Sequence, residues 1–186
     1  MQKKKTVVRL TINAMLIAIY IVLSLPIMTL NVGGLKFTFE HFPVVLCAVL
    51  FGPIDGIIVG ALGELVNQMT TFGITPTTAL WILPIAFRGF FMGMGSVILK
   101  KHMQPSAIVQ KKVPIMFFIL CVVSGICSSC LNTLALYVDS KMFGYYSVAL
   151  VWGAFSMRII IGAITSILMV FIIKPILHAL KRAHLL

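Results

Sequence analysis

Residues 78–99, TALWILPIAFRGFFMGMGSVIL, carry a single charge, Arg88, near the middle of an otherwise apolar run. A helix of this kind crosses a bilayer, whose hydrocarbon core of about 30 Å needs about 20 apolar residues. A charged side chain at that depth costs about 2.5–3.5 kcal/mol on insertion scales, so it faces a protein interior and often marks a functional site. Arg158 sits in the same way inside a second long apolar run. These two arginines set both the fold class and the first functional lead.

Working outward from that stretch, apolar runs predict six spans, at about 7–29, 41–53, 55–72, 78–99, 113–138 and 147–173. The second is too short to cross as a straight helix, so the pair 41–72 is expected to be tilted or partly reentrant. Composition agrees with a membrane protein. The chain of 186 residues is 60% hydrophobic and 10% charged, with a mean hydropathy of +1.10, against about 25% charged in soluble domains. The fold class is therefore an all-α integral membrane protein forming a single domain, 1–186, with six transmembrane helices. The apolar run after Lys3, Lys4, Lys5 and Arg9 is too long for a signal peptide and no small-residue cleavage site follows, so no cleaved leader is expected.

A net charge of +11 could suggest nucleic acid, but the distribution of the basic residues excludes it as a partner. On the six-span layout one face holds Lys3, Lys4, Lys5, Arg9, Lys100, Lys101, Lys111, Lys112, Lys174, Lys181 and Arg182. The other holds Lys36 and Lys141. This positive-inside bias places both termini in the cytoplasm.

Between the spans, Gly33-Gly34 reads as a turn and Leu35-Lys36-Phe37-Thr38-Phe39 alternates like a short strand. The first outer loop thus contains a short β-like segment, which serves either as a lid or as an ordinary connection. Gly52-Pro53 makes a tight turn. Gly52, Gly56 and Gly60, and later Gly89 and Gly93, repeat every four residues. Such small-residue stripes allow close helix packing or display for a partner's helix, as does Ala14-x-x-x-Ala18 in the first span.

Polar residues inside the spans fall on one side. Glu64, Asn67 and Gln68 share a helix face, and Ser128 and Asn132 lie at i, i+4. Trp81 and Trp152 sit near the outer interface, and Arg88 and Arg158 are each expected roughly 15 Å down, at 1.5 Å per residue. The inner halves are mostly aliphatic. A pore or proton relay needs polar groups through the whole depth, so this pattern points to a cavity open outward and closed inward. The alternative is that Glu64 pairs with an arginine to hold the bundle, with the tryptophans as belt anchors.

Aromatic faces from Phe37, Trp81, Tyr146 and Trp152, with Tyr145 beside them, can stack on a planar ring, while amides read its edges. Glu64 is the one carboxylate expected to neutralise the two arginines, which leaves about one positive charge for an anionic or carbonyl-rich ligand. The substrate-binding candidates are therefore Phe37, Glu64, Asn67, Gln68, Trp81, Arg88, Asn132, Tyr146, Trp152 and Arg158.

Catalytic motifs are weak. Cys127-Ser-Ser-Cys130 has the spacing of a thiol–disulfide centre, but Cys47 and Cys121 form no second pair to exchange electrons with it. His41, His102, His178 and His184 have no ligand at i+3 or i+4, so no metal is expected. No phosphate loop or hydrolase signature occurs, so the chain reads as a non-enzyme without a cofactor.

Several segments in order resemble a known family, the substrate-binding S components of energy-coupling factor (ECF) vitamin transporters. They are Ala14-x-x-x-Ala18, Phe39-Glu-His-Phe-Pro43, Leu50-Phe-Gly-Pro-Ile-Asp-Gly56, Gly60-Ala-Leu-Gly-Glu-Leu-Val-Asn67, Leu131-Asn-Thr-Leu134, and Arg158 in a last span ending Ile173-Lys-Pro-Ile176. The resemblance implies a six-helix bundle in a bacterial cytoplasmic membrane that binds a vitamin from outside. It also implies a partner module of one membrane coupling protein and two ATPase subunits, contacted through Ala14 and Ala18. Leu131-Asn-Thr-Leu134 and Arg158 are similar to the folate group. Val44 stands where that group carries arginine, and Thr75–Pro84 departs from its Phe-Pro-Gly-Phe-Thr pattern, so cobalamin and pantothenate stay open beside folate. The alternatives to an S component are an autonomous secondary transporter or channel, and a membrane thiol oxidoreductase using Cys127 and Cys130.

Overall fold

Two prolines and one glycine build the corner between two successive helices. Pro43 lies in the first turn of one helix and Pro53 opens the next, positions where the missing N–H would have no helical partner anyway. Gly52 between them has φ +100°, a conformation that L side chains rarely adopt. The computed structural model describes residues 2–25, 30–32, 35–102 and 115–182. In chain order these form α1 (Gln2–Ser24), β1 (Leu30–Val32), β2 (Leu35–Phe37), α2 (Phe42–Phe51), α3 (Pro53–Thr71), α4 (Thr78–His102), α5 (Ile115–Met142), a π-helical turn (Ala149–Gly153) and α6 (Phe155–Arg182). Gly33, Gly34, Lys111, Lys112 and His184 lie outside the described residues.

The helices differ from the spans read off hydropathy mainly at their ends. α5 continues to Met142 and α6 to Arg182, because backbone hydrogen bonding does not stop where the apolar residues do. Among the described residues, four segments are long and apolar enough to cross a membrane: Thr6–Ser24, Thr78–Leu99, Ile115–Met142 and Ala149–Leu177. α2, with 10 residues, rises about 15 Å, half of a bilayer core. It is apolar on every side and Pro43 to Val49 are all buried, as expected of a helix enclosed by its neighbours. β1 and β2 pair antiparallel, Leu30 opposite Phe37, and β2 lies beside α6.

The packing order is set by glycine. A Cβ on Gly56 would stand 2.7 Å from the Gly89 carbonyl oxygen, and one on Gly60 would stand 3.1 Å from that of Ile85. α3 and α4 therefore run antiparallel at backbone contact. α1 packs on α2 and α3, α4 on α5, and α5 on α6. At one end of the bundle the interior is hydrophobic: Leu16, Val44 to Val49, Val59, Met92, Leu99, Phe117, Cys121, Met169, Val170, Ile173 and Leu177. At that end the buried Asp55 accepts from Arg9 (Nε at 3.0 Å, and a second contact from Nη2) and from Asn13 Nδ2 at 2.6 Å. Cys47 Sγ donates to Asn13 Oδ1 at 3.3 Å, so α1 is fastened to the corner of α2 and α3.

Candidate binding site

At the opposite end, the same helices part around a cavity of about 660 Å³. Its walls come from the C-terminal half of α3, the N-terminal half of α4, the C-terminal half of α5 and the N-terminal half of α6. Thr38, Glu40 and His41, which follow the hairpin, and Phe72, Thr75, Phe143 and Tyr145, from the connections after α3 and α5, complete them. α5 shows how periodicity selects the lining. Gly125, Ser128, Ser129, Asn132, Leu136 and Asp139 recur at helical spacing and face the cavity, whereas Cys127 and Cys130 fall off that face, and Cys130 is exposed.

The glycine contacts also set relative heights. Gly56 meets Gly89 and Gly60 meets Ile85, so Glu64 stands level with Trp81. Arg88 then lies about 10 Å deeper, seven residues along α4 at 1.5 Å each. Across the bundle, Ser129 of α5 abuts Gly162 of α6, which puts Asn132 and Arg158 at the upper level. The expectation that both arginines share one depth is thus corrected: Arg88 is at the floor and Arg158 is about two turns above it.

Arg88 is 2% exposed. Its Nη2 donates to Ser166 Oγ at 2.8 Å and to Met169 Sδ at 3.5 Å, and its Nε has no partner. Ser166 is itself fixed, donating to the Gly162 carbonyl at 2.6 Å. Arg158 is half-buried and spends its donors on backbone, with Nη1 to Val151 O at 3.1 Å and Nη2 to Leu150 O at 2.9 Å. It clamps the carbonyls of the π turn, where regular α-helical bonding is interrupted.

Glu64 pairs with neither arginine. Tyr20 Oη donates to its Oε2 at 2.6 Å, Gln68 Nε2 to its Oε1 at 2.6 Å, and Asn67 Nδ2 to its Oε2 at 3.2 Å. The two amides reach it from one helical turn away, and Tyr20 reaches it because Gly63 leaves a notch in α3, where a Cβ would meet the tyrosine ring at 2.7 Å. Donors this close outcompete an arginine two turns below. The expected Glu64–arginine counter-charge is therefore overturned. Holding Gln68 by its amide nitrogen leaves the carbonyl oxygen as the atom it can offer the cavity.

The structure brings Glu64, Asn67, Gln68, Trp81, Arg88, Asn132 and Arg158 to one cavity. Tyr146 and Trp152 are not among its described lining residues. Both pack instead on Tyr137, with centroids at 5.6 Å and 6.3 Å, and Lys141 Nζ lies 4.1 Å from the Tyr146 ring. In the π turn Val151 is the buried residue and Trp152, next along the chain, is 49% exposed. The side chain of Phe37 lies outside the described residues.

Sequence reading missed Tyr20, Ser166, Glu40 and Asp139. The last two are half of the chain's four acidic residues, but each falls one residue outside a predicted span, 41–53 or 113–138. Asp139 accepts from the Tyr145 hydroxyl at the rim. Partial burial, reinforced by that carboxylate, pushes the Tyr145 phenol up to about 12, so it remains a donor at neutral pH. The cavity therefore carries three carboxylates against two guanidiniums rather than one against two.

Residues 8–177 match a family model described as ECF transporter, substrate-specific component. A solved structure described as the S component of a bacterial ECF transporter superposes with a TM-score of 0.66 at 21% identity, covering 97% of this chain and 99% of that one. At that identity the likeness shows the fold alone. No curated protein sequence matches the chain.

Proposed function

We propose, from the premise that this chain belongs to the family of ECF transporter substrate-specific components, that it captures a vitamin outside a bacterial cell for import driven by partner ATPases. The observation that carries this reading is the one-ended cavity. Polar side chains from four helices converge on about 660 Å³, a size that suits a small organic ligand. Beneath Arg88 the interior is largely aliphatic, which disfavours the channel or autonomous-transporter reading, since conduction needs polar groups through the depth. The position of Cys130 on the outer face of α5 disfavours thiol chemistry linked to the cavity.

On this reading all six helices lie in the membrane, with α2 and α3 enclosed by the rest, the termini in the cytoplasm and the cavity opening outward. Glu64, Asn67, Gln68, Trp81, Arg88, Asn132 and Arg158 contact or position the ligand. Folate and pantothenate fit the cavity volume better than cobalamin, which is much larger. Ala14 and Ala18 are exposed on α1, where a coupling protein's helix can approach closely.

Native mass spectrometry of the purified protein should find one small molecule bound in about equimolar amount. Proteoliposomes containing this chain alone should take up none of it, and uptake should appear once the membrane coupling protein and both ATPases are added. Flux driven by an ion gradient without those partners would overturn the reading.

A further inference from the structure

We propose that Arg88 is the seat for a single carboxylate, so that the substrate is a monoanionic, bipolar molecule held with its acid end inward. This inference rests on the substrate-binding reading above and names the ligand class of the same cavity.

The floor is incomplete without such a group. Arg88 is 2% exposed and lines the cavity, yet its Nε has no partner and its described contacts are a hydroxyl and a thioether. Among the described residues no carboxylate forms an ion pair with it. A buried guanidinium without a counter-ion is costly, and a planar carboxylate is the group its fork of N–H donors matches. The Ser166 hydroxyl, anchored to the Gly162 carbonyl, holds that fork in place before any ligand arrives.

The upper levels select the rest of the molecule. Glu64 stands about 10 Å above Arg88 by helical rise, and Glu40 and Asp139 also line the cavity. Three carboxylates against the one remaining guanidinium, Arg158, disfavour a second anionic group on the ligand. The Gln68 amide nitrogen is engaged by its hydrogen bond to Glu64 at 2.6 Å, so the carbonyl oxygen is the atom that can accept N–H or O–H donors. The ligand thus presents an acceptor below and donors above.

The full-length protein in detergent is titrated with three matched pairs of probes, each an acid and its neutral counterpart: pantothenate and panthenol, biotin and biotinamide, nicotinate and nicotinamide. At least one acid should bind, its neutral counterpart should bind roughly 10- to 100-fold more weakly, and Arg88→Gln should abolish the difference. Equal binding of acid and counterpart by the unmodified protein overturns the seat, and this comparison needs no variant to fold. Retained preference in Arg88→Gln overturns it as well. Co-purification of a dianionic or cationic compound overturns the seat while leaving the substrate-binding reading intact. Absence of any bound compound, from cells and from the panel alike, overturns both.

Discussion

Tyr20 shows how a single side chain outside a site can define it. It belongs to α1, which contributes no described lining residue, and it is fully buried. Its hydroxyl holds the Glu64 carboxylate in register with Gln68 and Asn67. A hydrogen bond to a charged group contributes about 1.5–3 kcal/mol, and leaving the acceptor buried and short of donors adds to the cost. Tyr20→Phe should therefore lower the thermal unfolding midpoint and weaken binding of the co-purified ligand roughly tenfold, measured by thermal shift and calorimetry. A fall in stability with unchanged affinity would mean that Tyr20 supports the bundle but not the site. The polar residues of α3 were legible as one helical face from their i, i+3 and i+4 spacing. Their partner was not, because Tyr20 lies 44 residues away and an isolated tyrosine in an aliphatic span carries no pairing signal.

At the scale of elements, glycine decides how close α3 and α4 come. The four-residue stripe is readable in sequence, but whether it faces the protein's own helix or a partner's is a property of the packed bundle. Gly56 and Gly89 face each other across the α3–α4 contact. Gly56→Val should destabilise the protein by at least the about 1–3 kcal/mol of ordinary overpacking, because the obstacle is backbone that cannot repack. Gly153→Ala, whose new methyl would meet its nearest neighbour at 4.0 Å, should leave the unfolding midpoint unchanged. Equal effects would refute the packing assignment. α1 depends on a polar fastening instead. Asp55 is 4% exposed and receives Arg9 and Asn13, while Arg9 is itself partly exposed, so solvent screens the pair. Asp55→Asn should cost about 1–2 kcal/mol, read as a lower melting midpoint that Arg9→Gln in the same chain does not lower much further. Fully additive losses would show that the two residues act separately.

For the whole molecule, ligand capture and partner contact occupy different surfaces. The cavity lies among α3, α4, α5 and α6, whereas Ala14 and Ala18 lie exposed on α1. Ala14→Trp or Ala18→Trp should leave ligand affinity within about twofold, since neither residue is buried in the bundle, and reduce uptake through the complete transporter by at least about tenfold. Binding assays on the isolated chain, set beside uptake in reconstituted vesicles, separate the two effects. Parallel loss of both would place the alanine face in the bundle's own packing.

Sequence alone determined that this is a bundle of apolar helices with its polar residues gathered at one end, and that it resembles the family to which it belongs. Hydropathy and helical periodicity are local properties, written within each segment. Tertiary structure alone decided which charges meet. It joined Glu64 to Tyr20 rather than to an arginine, and separated Arg88 from Arg158 by about two helical turns. It also brought Glu40 and Asp139 to the same cavity and turned Trp152 away from it. Each of these depends on the relative height and rotation of helices that are distant in sequence, as with Arg88 and Ser166, 78 residues apart. Glycine notches and one π turn set those heights and rotations, and their geometry exists only once the helices have packed.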